Sequence, residues 1–195
     1  MSNDPSADEV LEYWFGPADG PEWGKLRRLW FGGGAAVDDE IRARFGELHE
    51  RACEGEFDDW QQRPQGCLAL VLVLDQFSRN LHRGTARAFG ADAKALALAR
   101  VAIERGWDRD LDPVQRWFFY LPFEHSENLD DQRRALALFE SLPDDDNRKL
   151  GVDYARQHLE IIERFGRFPH RNEMLGRVSS PEEVKWLAAG GTRFG

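Results

Sequence analysis

The chain has 195 residues, a formal net charge of −9 and a pI near 5.1. That length suits one domain, or one array of packed helices, able to bury about 70% of its extended-chain surface, and 42% hydrophobic with 31% charged residues excludes a disordered chain. The acidic balance argues against a nucleic-acid protein that binds through bulk positive charge, and no run of 18 apolar residues exists to cross a membrane.

Helix punctuation recurs from the start. Ser6 and Glu9 have capping-box spacing, and Gly16 stops the helix after Trp14 and Phe15. The preceding stretch, MSNDPSADEV, is acidic and is not a secretory signal, so a cytoplasmic location is expected. Gly32, Gly33 and Gly34 lack the lysine and hydroxyl of a phosphate-binding loop and are taken as a flexible connection. Asp38 is the expected cap of a helix whose apolar face is Ile41, Phe45, Leu48 and Ala52, ending at Gly55. Pro64 precedes a long apolar helix from about 66 to 81, and Asp92 opens another that closes at Gly106. Cys53 and Cys67 are read as reduced, packed thiols, outside any CxxC pair.

Asp112 and Pro113 have the pattern of a cap followed by a first helical residue. Trp117, Phe118, Phe119 and Tyr120 surround that helix, which predicts burial between neighbours. Pro122 is expected to break it, leaving Ser126 or Asn128 to start the next, which stops near Pro143. Asp144, Asp145 and Asp146 form a solvated turn and cap. Tyr154, His158, Ile161 and Phe165 share one face of a helix closed by Gly166, and Ser180, Pro181 and Glu183 open the last one. The expectation is an all-α protein of eight or nine helices in a single domain over residues 1–195.

Three segments carry chemistry. After seven apolar residues, Asp75, Gln76, Arg79, Asn80 and Arg83 fall on one stripe of the long helix, which either meets water or lines a polar cavity. Glu124, His125 and Glu127 cluster near the expected helix start, where a histidine between acids suits general acid–base work; Glu124 and His125 are the candidate catalytic pair. The third segment holds Arg167, His170, Arg171 and Asn172, with His158 on the helix before it. Residues 75–92 contain three Arg against two Asp, and residues 163–177 four Arg against two Glu. Arginine supplies every cation in both, and its planar fork pairs bidentately with carboxylate or phosphate. No HxxxH or HExxH occurs, so no metal and no cofactor is expected.

The motifs from Leu74 to Asn80 with Arg83 to Ala86, from Phe118 to Glu127, and from Phe165 to Asn172 with Leu175 to Arg177 resemble the bacterial family called domain of unknown function 924, and Tyr13-Trp14-Phe15 resembles its opening. The resemblance implies a tetratricopeptide-like array of antiparallel helix pairs, although no 34-residue repeat is visible in this chain. It implies no activity. Three readings of the charged segments stay open: a pocket for a small anionic molecule, a groove for an acidic peptide end, and a structural ion-pair network.

Overall fold

The computed structural model describes residues 5–194; Met1 to Asp4, within the N-terminal stretch read as lacking a secretory signal, fall outside the described residues. Among the described residues every regular element is helical. The ten α-helical segments are α1 (Ala7–Phe15), α2 (Arg28–Gly32), α3 (Gly34–Glu54), α4 (Pro64–Leu72), α5 (Ser78–Leu81), α6 (Asp92–Glu104), α7 (Pro113–Glu124), α8 (Leu129–Glu140), α9 (Asp146–Phe165) and α10 (Pro181–Ala188). A five-residue π-turn, Val73–Phe77, joins α4 to α5 without a break, so the described residues form nine rods. The all-α expectation and its helix count are met.

The rod formed by α4, the π-turn and α5 is the centre. Cys67 through Leu74 are essentially solvent-free, because α1, α6 and α7 pack on α4 while α3 covers the π-turn and α5. An all-apolar helix surface allows this, as no side has to reach water. Around the rod, Trp14, Phe15, Trp30 and Phe118 interlock edge to face, with Trp30 and Phe118 centroids 5.0 Å apart. From α7 onward each helix packs on the next, α7 on α8 and α8 on α9. A smaller apolar cluster of Ile161, Ile162 and Phe168 lies under the C-terminal segments.

Several capping signals act as expected. Ser6, Asp112 and Ser180 each close a capping box, and Asp145 accepts the Arg148 N–H at the start of α9. Two expectations are corrected. Asp38 does not cap α3, which starts four residues earlier at Gly34; its carboxylate instead accepts from Asn80 and Arg83. Pro122 does not end α7 but lies inside its last turn. A proline so close to a helix end forfeits one backbone bond, and the His125 N–H still closes the helix on the Leu121 carbonyl at 2.8 Å. Glu124 and His125 therefore end α7 rather than opening α8.

The approach of α9 to α7 and α8 depends on Gly151, where an added Cβ would stand 2.6 Å from the Phe139 ring and 3.1 Å from Trp117. Both rings are locked in the core. Gly151→Ala is expected to lower unfolding free energy by roughly 1–3 kcal/mol, the usual cost of overpacking, as measured by urea titration.

Candidate functional site

Asp75 sits in the π-turn and is 1% exposed. Its carboxylate meets the His125 Nδ1 at 2.8 Å, the Arg79 guanidinium at 3.2 Å and the Gln76 amide at 2.6 Å. Burial alone would raise the Asp75 carboxyl; Arg79 and His125 outweigh it and hold the group well below the usual carboxylate range. Arg79 also grips both oxygens of Asp92, the first residue of α6, at 3.0 and 3.1 Å. Burial and the nearby Arg79 lower the His125 imidazole, so it is neutral at pH 7, gives Nδ1–H to Asp75 and keeps the lone pair on Nε2.

Arg171 arrives from the short turn Pro169–Arg171. Its guanidinium donates to the His125 carbonyl at 3.0 Å, lies 3.6 Å from Asp92 and stacks between Phe89 and Phe168 at 4.6 and 4.4 Å. Burial and Arg79 bring it down to about 10, so it remains a cation at neutral pH.

Glu124, 2% exposed, is next in the chain. Burial, with Asp75 adding to it, pushes its carboxyl up to about 8. Its Oε1 lies 3.1 Å from His158 Nδ1, which also bonds the Tyr154 carbonyl at 2.9 Å. Burial keeps His158 well below its ordinary value, and its Nδ1–H is given to the Tyr154 carbonyl, so the approach of Glu124 is a contact between neutral groups and not an ion pair. Phe194, near the C-terminus, lies flat on the His158 ring with centroids 3.4 Å apart and edges against His170.

The expected convergence thus holds for Asp75, Gln76, Arg79, Glu124, His125, His158 and Arg171. Other members of the set serve separate networks. Asn80 and Arg83 turn to Asp38 on α3. Asn80 points about 100° round the helix from Arg79, and Arg83 stands beyond the end of α5 at Leu81, where the helical stripe stops. Glu127 is held by both arms of Arg177 at 2.6 and 3.0 Å and by the Phe168 N–H. Asn172 bonds Ser179 and Arg177, and Arg167 forks onto Glu183 near the surface. His170 stands beside Phe168 and Phe194 with neither ring nitrogen hydrogen-bonded.

Two residues of the cluster escape sequence reasoning. Asp92 has a local excuse as the first acid of α6, and Phe194 lies far along the chain in a segment with no periodicity. Two surface depressions, of about 510 and 360 Å³, lie elsewhere and are lined by none of the clustered residues. The cluster is closed, reached from solvent mainly past Arg79, His125 and Asp92, whose side chains are 15, 12 and 20% exposed.

Fold and site define an all-α protein with a buried arginine, carboxylate and imidazole cluster at the end of its central rod. The chain belongs to the family of bacterial proteins of unknown function (DUF924), whose pattern matches residues 10–191. It is similar to the solved structure of a protein of unknown function, ATU0120, from Agrobacterium tumefaciens, at 40% identity and a TM-score of 0.82, over 94% of this chain and 97% of that one. No curated protein matches it.

The state of Glu124 gives a pH signature. It keeps its proton up to about 8 in the fold but loses it near 4.5 when unfolded. Its contribution is complete below about pH 4.5 and is lost as pH rises towards 8. Glu124→Gln, which keeps the shape and cannot ionise, is expected to gain stability relative to the parent as pH rises through that window. Paired thermal melts from pH 5 to 8 check this; a constant difference would show that Glu124 is not the group responsible.

Proposed function

We propose that the protein binds a small anionic molecule at the Asp75–Arg79–Glu124–His125–Arg171 cluster. The carrying observation is a set of buried polar atoms without a hydrogen-bond partner: Glu124 Oε2, His158 Nε2 and Arg171 Nε in the cluster, and both ring nitrogens of His170 beside it, across Phe168 and Phe194. Each such atom costs about 1–3 kcal/mol, a cost that a bound polar molecule would remove. Arg79 and Arg171 supply guanidinium forks of the kind that hold carboxylate or phosphate.

The charges of Asp75 and Asp92 already balance those of Arg79 and Arg171. An anion therefore enters together with a proton, taken by a neutral imidazole of His125, His158 or His170. Glu124, still protonated at pH 7, is the donor available to a bound substrate. Catalysis of proton transfer is the natural extension of this reading, with Glu124 as acid and His125 Nε2 as base.

The structural-network reading has its own support, because Arg79, Arg83, Arg167, Arg171 and Arg177 each face a carboxylate. A groove for peptide ends has less, because Arg79 and Arg171 are largely withdrawn from solvent. Calorimetry with inorganic phosphate, citrate and succinate separates the readings. Binding of one of them with proton uptake, seen as a buffer-dependent enthalpy, and lost in a folded Arg171→Met variant, is the expected result. A purely structural cluster predicts no binding of any of the three and a loss of roughly 3–5 kcal/mol in Arg171→Met.

A further inference from the structure

α3 and the end of α5 bring together three groups outside the arginine cluster: His49, Glu50 and His82. One ligand-type atom of each lies within 4.8 Å of the others, and no other three His, Cys, Asp or Glu side chains gather this way among the described residues.

The protonation of His49 follows from its neighbours. The Ser78 hydroxyl donates its only proton to the Leu74 carbonyl at 2.6 Å, so its oxygen accepts from His49 Nε2–H at 2.8 Å. The lone pair of His49 is thus on Nδ1, which is buried and has no hydrogen-bond partner, in a side chain only 3% exposed. His82 Nε2 is likewise buried and unpartnered. Between them stands Glu50 Oε1, 3.9 Å from His49 Nδ1 and 3.6 Å from His82 Nε2. Burial, more than any neighbouring charge, lowers both imidazoles, His49 to about 4, so both are in the neutral form that binds metal.

We propose that His49 Nδ1, Glu50 Oε1 and His82 Nε2 form a site for one divalent transition-metal ion of the zinc class, completed by water. Two imidazoles and a carboxylate with an open fourth position suit zinc and its neighbours and not magnesium or calcium. Metal–ligand bonds of about 2.0–2.2 Å set tetrahedral ligand atoms about 3.4 Å apart, so Glu50 Oε1 closes on each imidazole by a few tenths of an ångström, and the two imidazole ligand atoms, within 4.8 Å of each other, close by no more than about 1.4 Å. The Ser78 bond to Nε2 is the outer contact that fixes the tautomer and orientation of a metal-binding histidine.

Arg87 competes for the carboxylate. Its Nη2 lies 2.6 Å from both Glu50 oxygens, but its side chain is 62% exposed and free to swing into solvent. Cys53 approaches Nε2 of His49, the nitrogen directed to Ser78, at 3.7 Å and is not placed as a ligand. A bound ion would tie α3 to the central rod.

The test is equilibrium dialysis of tag-free, chelator-stripped protein against Zn²⁺, with metal analysis and thermal melts. One Zn²⁺ per chain and a raised melting temperature are expected, with neither effect from Mg²⁺. Glu50→Gln and His82→Phe should each lose that equivalent. Ser78→Ala should weaken binding roughly 10–100-fold, Arg87→Ala should tighten it, and Cys53→Ser should leave it unchanged. Glu50 is half exposed, so Glu50→Gln retains the fold, as its metal-free melt will show. Absence of stoichiometric Zn²⁺, or a bound equivalent that survives both Glu50→Gln and His82→Phe, overturns the proposal.

Discussion

A carboxylate in the middle of the most apolar rod of a protein must be compensated where it lies, and the surroundings of Asp75 are arranged around that requirement. An unpaired carboxylate in such a place would cost several kcal/mol. Here Arg79, His125 and Gln76 meet it from two elements. Arg79 in turn brings in Asp92 at the start of α6, and Asp92 faces Arg171 from the C-terminal turn. One buried charge thus ties the central rod to α6, to the end of α7 and to the segment after α9.

Asp75 sits within the π-turn. A straight α-helix through residues 73–77 would set Asp75, Arg79 and Arg83 on one stripe. After the turn Arg79 keeps its bond to Asp75 at the α7 end, while Asn80, about 100° further round α5, and Arg83, past the helix end at Leu81, go to Asp38 on α3. The turn also leaves Ser78 at the junction, where its hydroxyl bonds back to Leu74 and orients His49. Two polar clusters with different partners therefore meet at one irregular turn.

Neighbouring acids in this network have opposite fates. Asp75 faces a guanidinium and remains ionised, while Glu124, buried nearby with no cation at hand, holds its proton to about 8. Each ionised Asp75 makes a second charge at Glu124 less favourable, so the two states reinforce each other. The histidines follow the same logic, since His125, His158 and His170 are all held neutral by burial.

The amino-acid sequence by itself determined the helical class, most helix starts and the burial of the central rod, because capping residues and apolar periodicity act within a few residues of one another. It also marked Asp75, Arg79, Glu124, His125 and Arg171 as side chains that packing does not explain. Only the tertiary structure decided which of the marked residues meet. Asn80 and Arg83 were taken up by Asp38 on α3, Arg83 from beyond the helix end at Leu81, and Glu127 and Asn172 were taken up by Arg177 across a loop. Asp92, Phe194 and the grouping of His49 with His82 depend on contacts between elements distant in sequence, where local periodicity carries no information.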